Sequence, residues 1–317
     1  MKNTSKGVLV SIHCLVYNHE PYLRQCLDGF VMQKTNFLFE AIVHDDCSTD
    51  GSAAIIREYA EKYPDMIKPI FETTNQYSII GFSGISKIMT VNSKGKYIAF
   101  CEGDDYWTDP YKLQKQVDYL ESHPECGLVY TNSMIFEEKT ECFKNATLPR
   151  QSDFSNILLE SPIMTLTTCF KRDLFMNYLH EIPSNSSWMM ADLPLWLYIS
   201  SHSSIKYLPD VTSVYRKLET SASHSEDIDK MVKFCLSSCN IRLYFANQYN
   251  YSYLAKRIFI NHFNELFKLS ILYEKNLSPL IMRLAIKNHI YNIKIWLKCI
   301  LYMSKFGRSY HHIRYCS

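Results

Sequence analysis

The sequence runs to 317 residues, 47% apolar and 21% charged, an ordinary globular make-up with enough chain for one large or two modest domains. Its net charge of +2 gives nucleic acid no general electrostatic hold and excludes that partner class as a whole-chain property. No stretch reaches the ~20 consecutive apolar residues that a spanning helix needs, so at most a surface contact with a membrane is expected. Eleven cysteines are scattered without any C-x-x-C spacing, and the first apolar run leads straight into Tyr17-Asn18 instead of a cleavage site. Both features read as reduced thiols in a cytoplasm.

In chain order, VLVSIHCLV, FEAIVHD, KYIAFC and GLVYTN are near-continuous apolar runs, as expected of strands buried on both faces. Between them PYLRQCLDGFVM, SAAIIREYAEKY, SGISKIMTVNS and PYKLQKQVDYLESH carry apolar residues at helical spacing. Asp50 stands where an N-cap is needed, and Asp109-Pro110 offers a cap followed by Pro at the first helical position. This β-α-β-α order predicts a Rossmann-like, mainly parallel sheet flanked by helices. Eight of the nine glycines fall at or before Gly127, so the tight βα turns, and with them this architecture, are expected to end there. Residues 133–160 read as irregular, MTLTTCFK as a strand, MMADLPLWLYISSH as a short helix, and IKYLP and VTSVYRK as two further strands. From Asp227 on the pattern is helical, in three long segments. The division expected is a sheet domain over 1–225, with halves 1–130 and 131–225, and a helical region over 226–317.

Ligands of Rossmann-like sheets sit at the carboxyl ends of the strands, so the polar residues just after each apolar run matter most. These are Tyr17-Asn18, His44-Asp45-Asp46 and Glu102-Gly103-Asp104-Asp105-Tyr106-Trp107. The dinucleotide glycines G-x-G-x-x-G and the P-loop are both absent. Adjacent acids at a strand end repel one another, and a divalent cation such as Mg²⁺ or Mn²⁺ relieves that while leaving room for diphosphate oxygens. A capped turn with one solvated Asp would use the same residues.

Three segments taken together, V-S-I-H-C-L-V-Y-N-H-E-P-Y-L, V-H-D-D-C-S-T-D-G-S and E-G-D-D-Y-W-T-D-P-Y-K-L-Q-K-Q, resemble the inverting family 2 glycosyltransferases with the GT-A fold and a DXD-type motif. The resemblance covers roughly residues 8–225 and is strongest over the first 130. It implies transfer of a sugar from a nucleoside-diphosphate donor, a UDP-sugar above all, to a hydroxyl of a glycan or lipid-linked acceptor, as in surface polysaccharide synthesis. It places Tyr17 against the base, Asp46 on the base or ribose, Asp104 near the ribose and Asp105 on the metal. Asp192, in Met190-Ala191-Asp192-Leu193-Pro194, matches the family's base, although an acid there also suits a helix N-terminus. Trp188 and Trp196 offer a sugar-stacking face, Trp196 equally a core residue, and Thr167, Thr168 and Cys169 would line the acceptor side. Val214-Tyr215-Arg216 and Ser221-Ala222-Ser223-His224 resemble the family's late segment, which gives His224 to the metal and Arg216 to the diphosphate. Family members carry a basic residue near the position of Ser78–Phe82, where this chain has none. A sugar nucleotidyltransferase would need a Gly-rich, Arg-containing loop after the first strand, and HCLVYNHEPYL lacks it; a non-catalytic carbohydrate- or partner-binding module would share the fold.

Beyond Glu274 the chain holds Lys275, Arg283, Lys287, Lys294, Lys298, Lys305, Arg308 and Arg314 but no Asp or Glu. With Ile293, Ile295, Trp296, Leu297, Ile300 and Leu301 this makes a basic amphipathic segment over 275–317. It suits peripheral contact with the inner face of a membrane, or a terminal helix packed on the domain.

Overall fold

The computed structural model describes residues 7–145, 152–183, 185, 187–218 and 227–303. They group into two compact units. One takes residues up to 157, 162–184 and 195–218; the other takes 158–161, 185–194 and the residues after 218.

The first unit is built on a mixed sheet. Strands β1 (Val8–Val16), β2 (Leu38–Asp45), β3 (Ile67–Phe71) and β4 (Tyr97–Phe100) alternate with helices α1 (Glu20–Val31), α2 (Ser52–Lys62) and α3 (Tyr77–Val91). They pair in parallel in the order β3-β2-β1-β4, with Ile12 opposite Ala41 and His13 opposite Phe100. Val10, Ile12, Cys14, Ala41, Val43 and Ala99 are buried, as the unbroken apolar runs require of strands covered on both faces. Helix α3 starts earlier than the apolar periodicity indicates and kinks at Gly81, whose φ of 61° with ψ of −172° only glycine adopts without strain.

The chain continues through β5 (Tyr106–Trp107), α4 (Lys112–Ser122), β6 (Cys126–Glu137), β7 (Cys142–Asn145), α5 (Phe154–Leu159), β8 (Thr168–Lys171), α6 (Arg172–Glu181), α7 (Asp192–His202) and β9 (Ser204–Lys217). The sheet extends as β4-β8-β6-β9-β5, with β8 antiparallel to both neighbours. Residues 133–145, expected to be irregular, instead prolong β6 and return as β7. The two expected strands IKYLP and VTSVYRK are one, β9, parallel to β6 with a register shift between Tyr207 and Val211. Pro209 stands inside that shift, where its missing N–H costs no ladder bond.

Behind the strand ends, Trp107 donates through Nε1 to the Leu166 carbonyl at 2.9 Å and meets Phe30 edge-on at 5.0 Å. Lys112 lies over its ring at 4.3 Å and bonds Gln116 Oε1, and burial pushes its ammonium pKa down to about 8. Gln116 in turn donates to the carbonyls of Val129 and Thr167, which ties α4 to the sheet.

The second unit holds four helices among the described residues, where three were expected: α8 (Ile228–Gln248), α9 (Ala255–Leu272), α10 (Ser278–Lys287) and α11 (Ile293–Met303). Asp227 caps α8 by accepting from the amides of Asp229 and Lys230, and Pro279 stands in the first turn of α10, where a missing N–H is harmless. No described helix is long and apolar enough to cross a membrane.

Candidate active site

Because β1, β2 and β4 run in parallel, Tyr17, Asp46 and Glu102 all follow strands that end on one edge of the sheet. That edge is stitched by side chains. Asn18, at φ 56°, donates its amide to Ser48 Oγ and accepts from the Thr49 amide at 2.7 Å. Asp50 accepts from the amides of Glu20 and Ser52, while Glu20 accepts from that of Gly51. Tyr17 is left 47% exposed on this rim, as a platform for an aromatic ring must be. Asp46 is buried, and its two carboxylate oxygens accept the amides of Gln76 and Tyr77 at 2.6 and 3.0 Å. Its observed work is to hold the start of α3 against the strand end.

The acidic loop lies next to these residues. Glu102, Asp104 and Asp105 each present a carboxylate oxygen within 4.8 Å of the others. Glu102 is exposed, Asp104 half-buried and Asp105 only 2% exposed. Burial, then the neighbouring Asp104 charge, raises the Asp105 pKa well above the usual carboxylate range, against the pull of the Arg216 amide. That amide donates to Asp105 Oδ1 at 2.8 Å. A carboxylate so buried and so crowded by like charge is the environment that a divalent cation relieves, and three acidic oxygens within 4.8 Å of one another are a donor set of the kind Mg²⁺ or Mn²⁺ takes.

Arg216 is 6% exposed. Its guanidinium donates to the Asp104 carbonyl and to Gln25 Oε1, and lies over the rings of Tyr106 at 4.4 Å and Tyr22 at 5.2 Å. In these contacts Arg216 braces the acidic loop. The Cys26 thiol donates to the Glu102 carbonyl at 3.4 Å. Burial raises that thiol well above its ordinary pKa, which keeps it a donor and not a nucleophile.

Two residues of this edge carry no role in the sequence reading. Glu102 is one, although an acid two positions before an Asp pair was a legible signal. His19 is the other. Its Nδ1 is buried without a hydrogen-bond partner. Burial lowers its pKa, opposed by the charges of Asp104 and Asp50. A Cβ added at Gly103 would come within 2.8 Å of that nitrogen, so the loop reaches its position because residue 103 has no side chain.

Asp192 opens α7 and belongs with the helical unit, where its Oδ1 accepts the amide of Leu193. Trp188, in the same unit, is spent on packing against Tyr244 and Phe245 at 5.3 and 6.2 Å. Trp196 is core, 1% exposed. Thr167, Thr168 and Cys169 are fully buried and cannot line an acceptor surface; they close the sheet under Gln116. His224 lies outside the described residues.

The family model described as Glycosyl transferase family 2 matches residues 11–179, more than half of the chain. The chain belongs to glycosyl transferase family 2. An uncharacterized protein of Mycobacterium tuberculosis, Rv1520, is 37% identical over 224 residues, 70% of this chain and 62% of the relative. The chain thus aligns with less than two thirds of that relative's length. Among solved structures, S. aureus TarS 1-349 in complex with UDP-GlcNAc superposes with a TM-score of 0.58 at 16% identity, covering 92% of this chain and 90% of TarS. The mannosyltransferase PcManGT of Pyrobaculum calidifontis, in complex with GDP-Man and Mn²⁺, gives 0.58 at 17% identity over 98% of this chain and 88% of its own. The fold is therefore of the GT-A type, a mixed sheet flanked by helices with helices following it.

Proposed function

We propose that the chain is a metal-dependent inverting glycosyltransferase, moving a sugar from a nucleoside diphosphate, UDP above all, to a hydroxyl of a glycan or lipid-linked acceptor. The observation that carries this reading is the cluster Glu102, Asp104 and Asp105 beside the exposed Tyr17 at the strand-end edge of a family 2 fold. That TarS binds UDP-GlcNAc and PcManGT binds GDP-Man with Mn²⁺ is consistent with a nucleotide-sugar donor and a divalent ion.

Each residue then has a part set by its surroundings. Tyr17 offers its ring face to the base, and the buried Asp46 presents the lone pairs left over from Gln76 and Tyr77. Asp104 and Asp105, with Glu102, would hold Mn²⁺ or Mg²⁺, which when bound supplies positive charge for the departing nucleoside diphosphate. His224 is proposed as a further ligand from the late segment. Arg216 braces the acids through the Asp104 carbonyl and, by its amide, Asp105. Asp192 takes the proton of the acceptor hydroxyl as its oxygen bonds to the anomeric carbon and the bond to the diphosphate breaks on the opposite face. A single in-line displacement of this kind inverts the anomeric centre.

The test is release of nucleoside diphosphate from a panel of UDP-, GDP- and TDP-sugars with Mn²⁺ and with Mg²⁺. Turnover with at least one donor, lost on chelation and lost in Asp105→Ala, is expected. Full metal-dependent turnover by Asp105→Ala would remove the site assignment.

A further inference from the structure

A feature of the helical unit lies outside this chemistry. Helix α11 packs through Ile295 and Cys299, which are buried one turn apart. Its other side holds Ile293, Leu297, Ile300 and Leu301, exposed to 74%, 52%, 54% and 53%. At 3.6 residues per turn these four fall within roughly 100° of arc, an apolar stripe as wide as those by which helices bury themselves. Lys294 and Lys298 follow at its flank, both exposed. Tyr291, just before the helix, is 69% exposed, and Ile286 of α10 is 54% exposed beside Lys287. A stripe of this kind costs free energy when it faces water and indicates an interaction surface.

The charge around the stripe selects the partner. Residues 275–317 contain eight Lys or Arg and no acid. Among those described, Lys275 is paired with Asp229, whereas Arg283, Lys287 and Lys294 have exposed side chains on α10 and α11. A second copy of the same face would set these cations against one another. An anionic lipid surface takes both halves of the pattern: the apolar stripe enters the acyl boundary while the lysines meet head-group phosphates. We propose that α10 and α11 form an in-plane docking face for a bilayer containing anionic lipid. It holds the enzyme peripherally and does not span the bilayer.

The experiment is vesicle flotation of the full chain, which needs neither donor nor metal and so stands apart from the catalytic reading. The chain is expected to float with phosphatidylcholine vesicles containing phosphatidylglycerol and to stay behind with phosphatidylcholine alone. Binding should weaken as salt is raised from about 0.1 to about 1 M, where the screening length falls from about 10 to about 3 Å. The triple variant Ile293→Ser, Leu297→Ser, Ile300→Ser should lower the partition coefficient more than about tenfold, since each side chain forfeits its apolar transfer. Replacing Lys287 and Lys294 by Gln should cost about fivefold each on anionic vesicles. All changed positions are exposed, and unaltered far-ultraviolet dichroism would show that folding is intact. No flotation of the wild type with anionic vesicles, or equal flotation of the triple variant, would overturn the proposal. So would a concentration-dependent dimer in sedimentation that the triple variant abolishes, because the occupant would then be a second copy.

Discussion

The sheet unit and the helical unit place their polar residues in opposite ways. In the sheet unit the chemistry stands at strand ends: Tyr17, Asp46 and the acidic loop each follow a parallel strand by one or two residues. Parallel pairing then gathers on one edge what lies 30 to 90 residues apart in the chain. In the helical unit one buried polar group is a chain of side chains between two helices. Arg242 Nε donates to Ser238 Oγ, and Ser238 meets His262 Nε2 at 3.2 Å. Nothing in the local sequence announces that pairing, because which faces of α8 and α9 meet is decided by packing. Strand ends expose function to a reader of sequence, and helix faces conceal it.

The largest expected effect tests the sheet edge. Asp105→Asn keeps the shape and can still accept the Arg216 amide, yet it removes the charge that a cation needs. Turnover should fall by about a thousandfold, as for loss of a main electrostatic contact to the transition state. Stability should move the other way. In the absence of metal the native state resists ionising Asp105, because of burial and then Asp104, so the neutral variant should melt higher than the wild type. A variant that is inactive and less stable would mean that the cluster is structural.

The counterpart in the helical unit is Asp192→Asn. The carboxylate accepts the Leu193 amide, and an amide oxygen preserves that bond. Transfer should drop about a hundredfold or more, the usual reach of a general base, with the donor dissociation constant unchanged. Calorimetric donor titration beside turnover separates the two. Loss of donor binding would return Asp192 to a purely structural place at the helix terminus.

How much was legible follows the same division. VLVSIHCLV, FEAIVHD and KYIAFC mark β1, β2 and β4 almost to the residue, because a strand buried on both faces leaves an unbroken signal, whereas GLVYTN stops five residues short of the end of β6 and β3 went unread. Asp104 and Asp105 stood out as an acidic pair at such a strand's end. Arg216 stood out as a residue of the late segment, but its contacts did not: Tyr22 and Gln25 come from α1 and Tyr106 from β5, two segments far from it in the chain. Thr167 to Cys169 looked like a polar lining because Thr and Cys are compatible with one; the sheet buries them, since Gln116 supplies the partner for the Thr167 carbonyl. His19 escaped notice because its unusual feature, a buried nitrogen without a partner, exists only once Gly103 has folded against it.

A smaller effect is expected at Tyr17. Its ring is on the rim and its removal leaves no hole in the core, so Tyr17→Ala should leave the melting temperature unaltered. If the ring carries the base, donor affinity should fall by about 1–3 kcal/mol, the worth of one base–aromatic stack, while kcat changes little. Tyr17→Phe should restore it. An unchanged donor affinity in Tyr17→Ala would move the base elsewhere along the edge.

The smallest effect concerns His13, inside the same sheet. The residue lies on β1, with Nε2 2.7 Å from Ser93 Oγ and its ring against Phe100 and Phe175. Burial lowers its pKa to about 3. The folded state therefore keeps it neutral where an unfolded chain takes up a proton near 6.5, and the stability this gives is present above that value and lost as the pH falls toward 3. Between pH 7 and pH 6 the loss from this one site is about 0.7 kcal/mol. Urea midpoints of wild type and His13→Gln at the two pH values measure it: the wild type should lose that increment, and the variant, less stable at both, should lose less between them. Equal slopes would show that the imidazole titrates in the folded sheet, and that the interior beneath the strand-end edge is wetter than its packing implies.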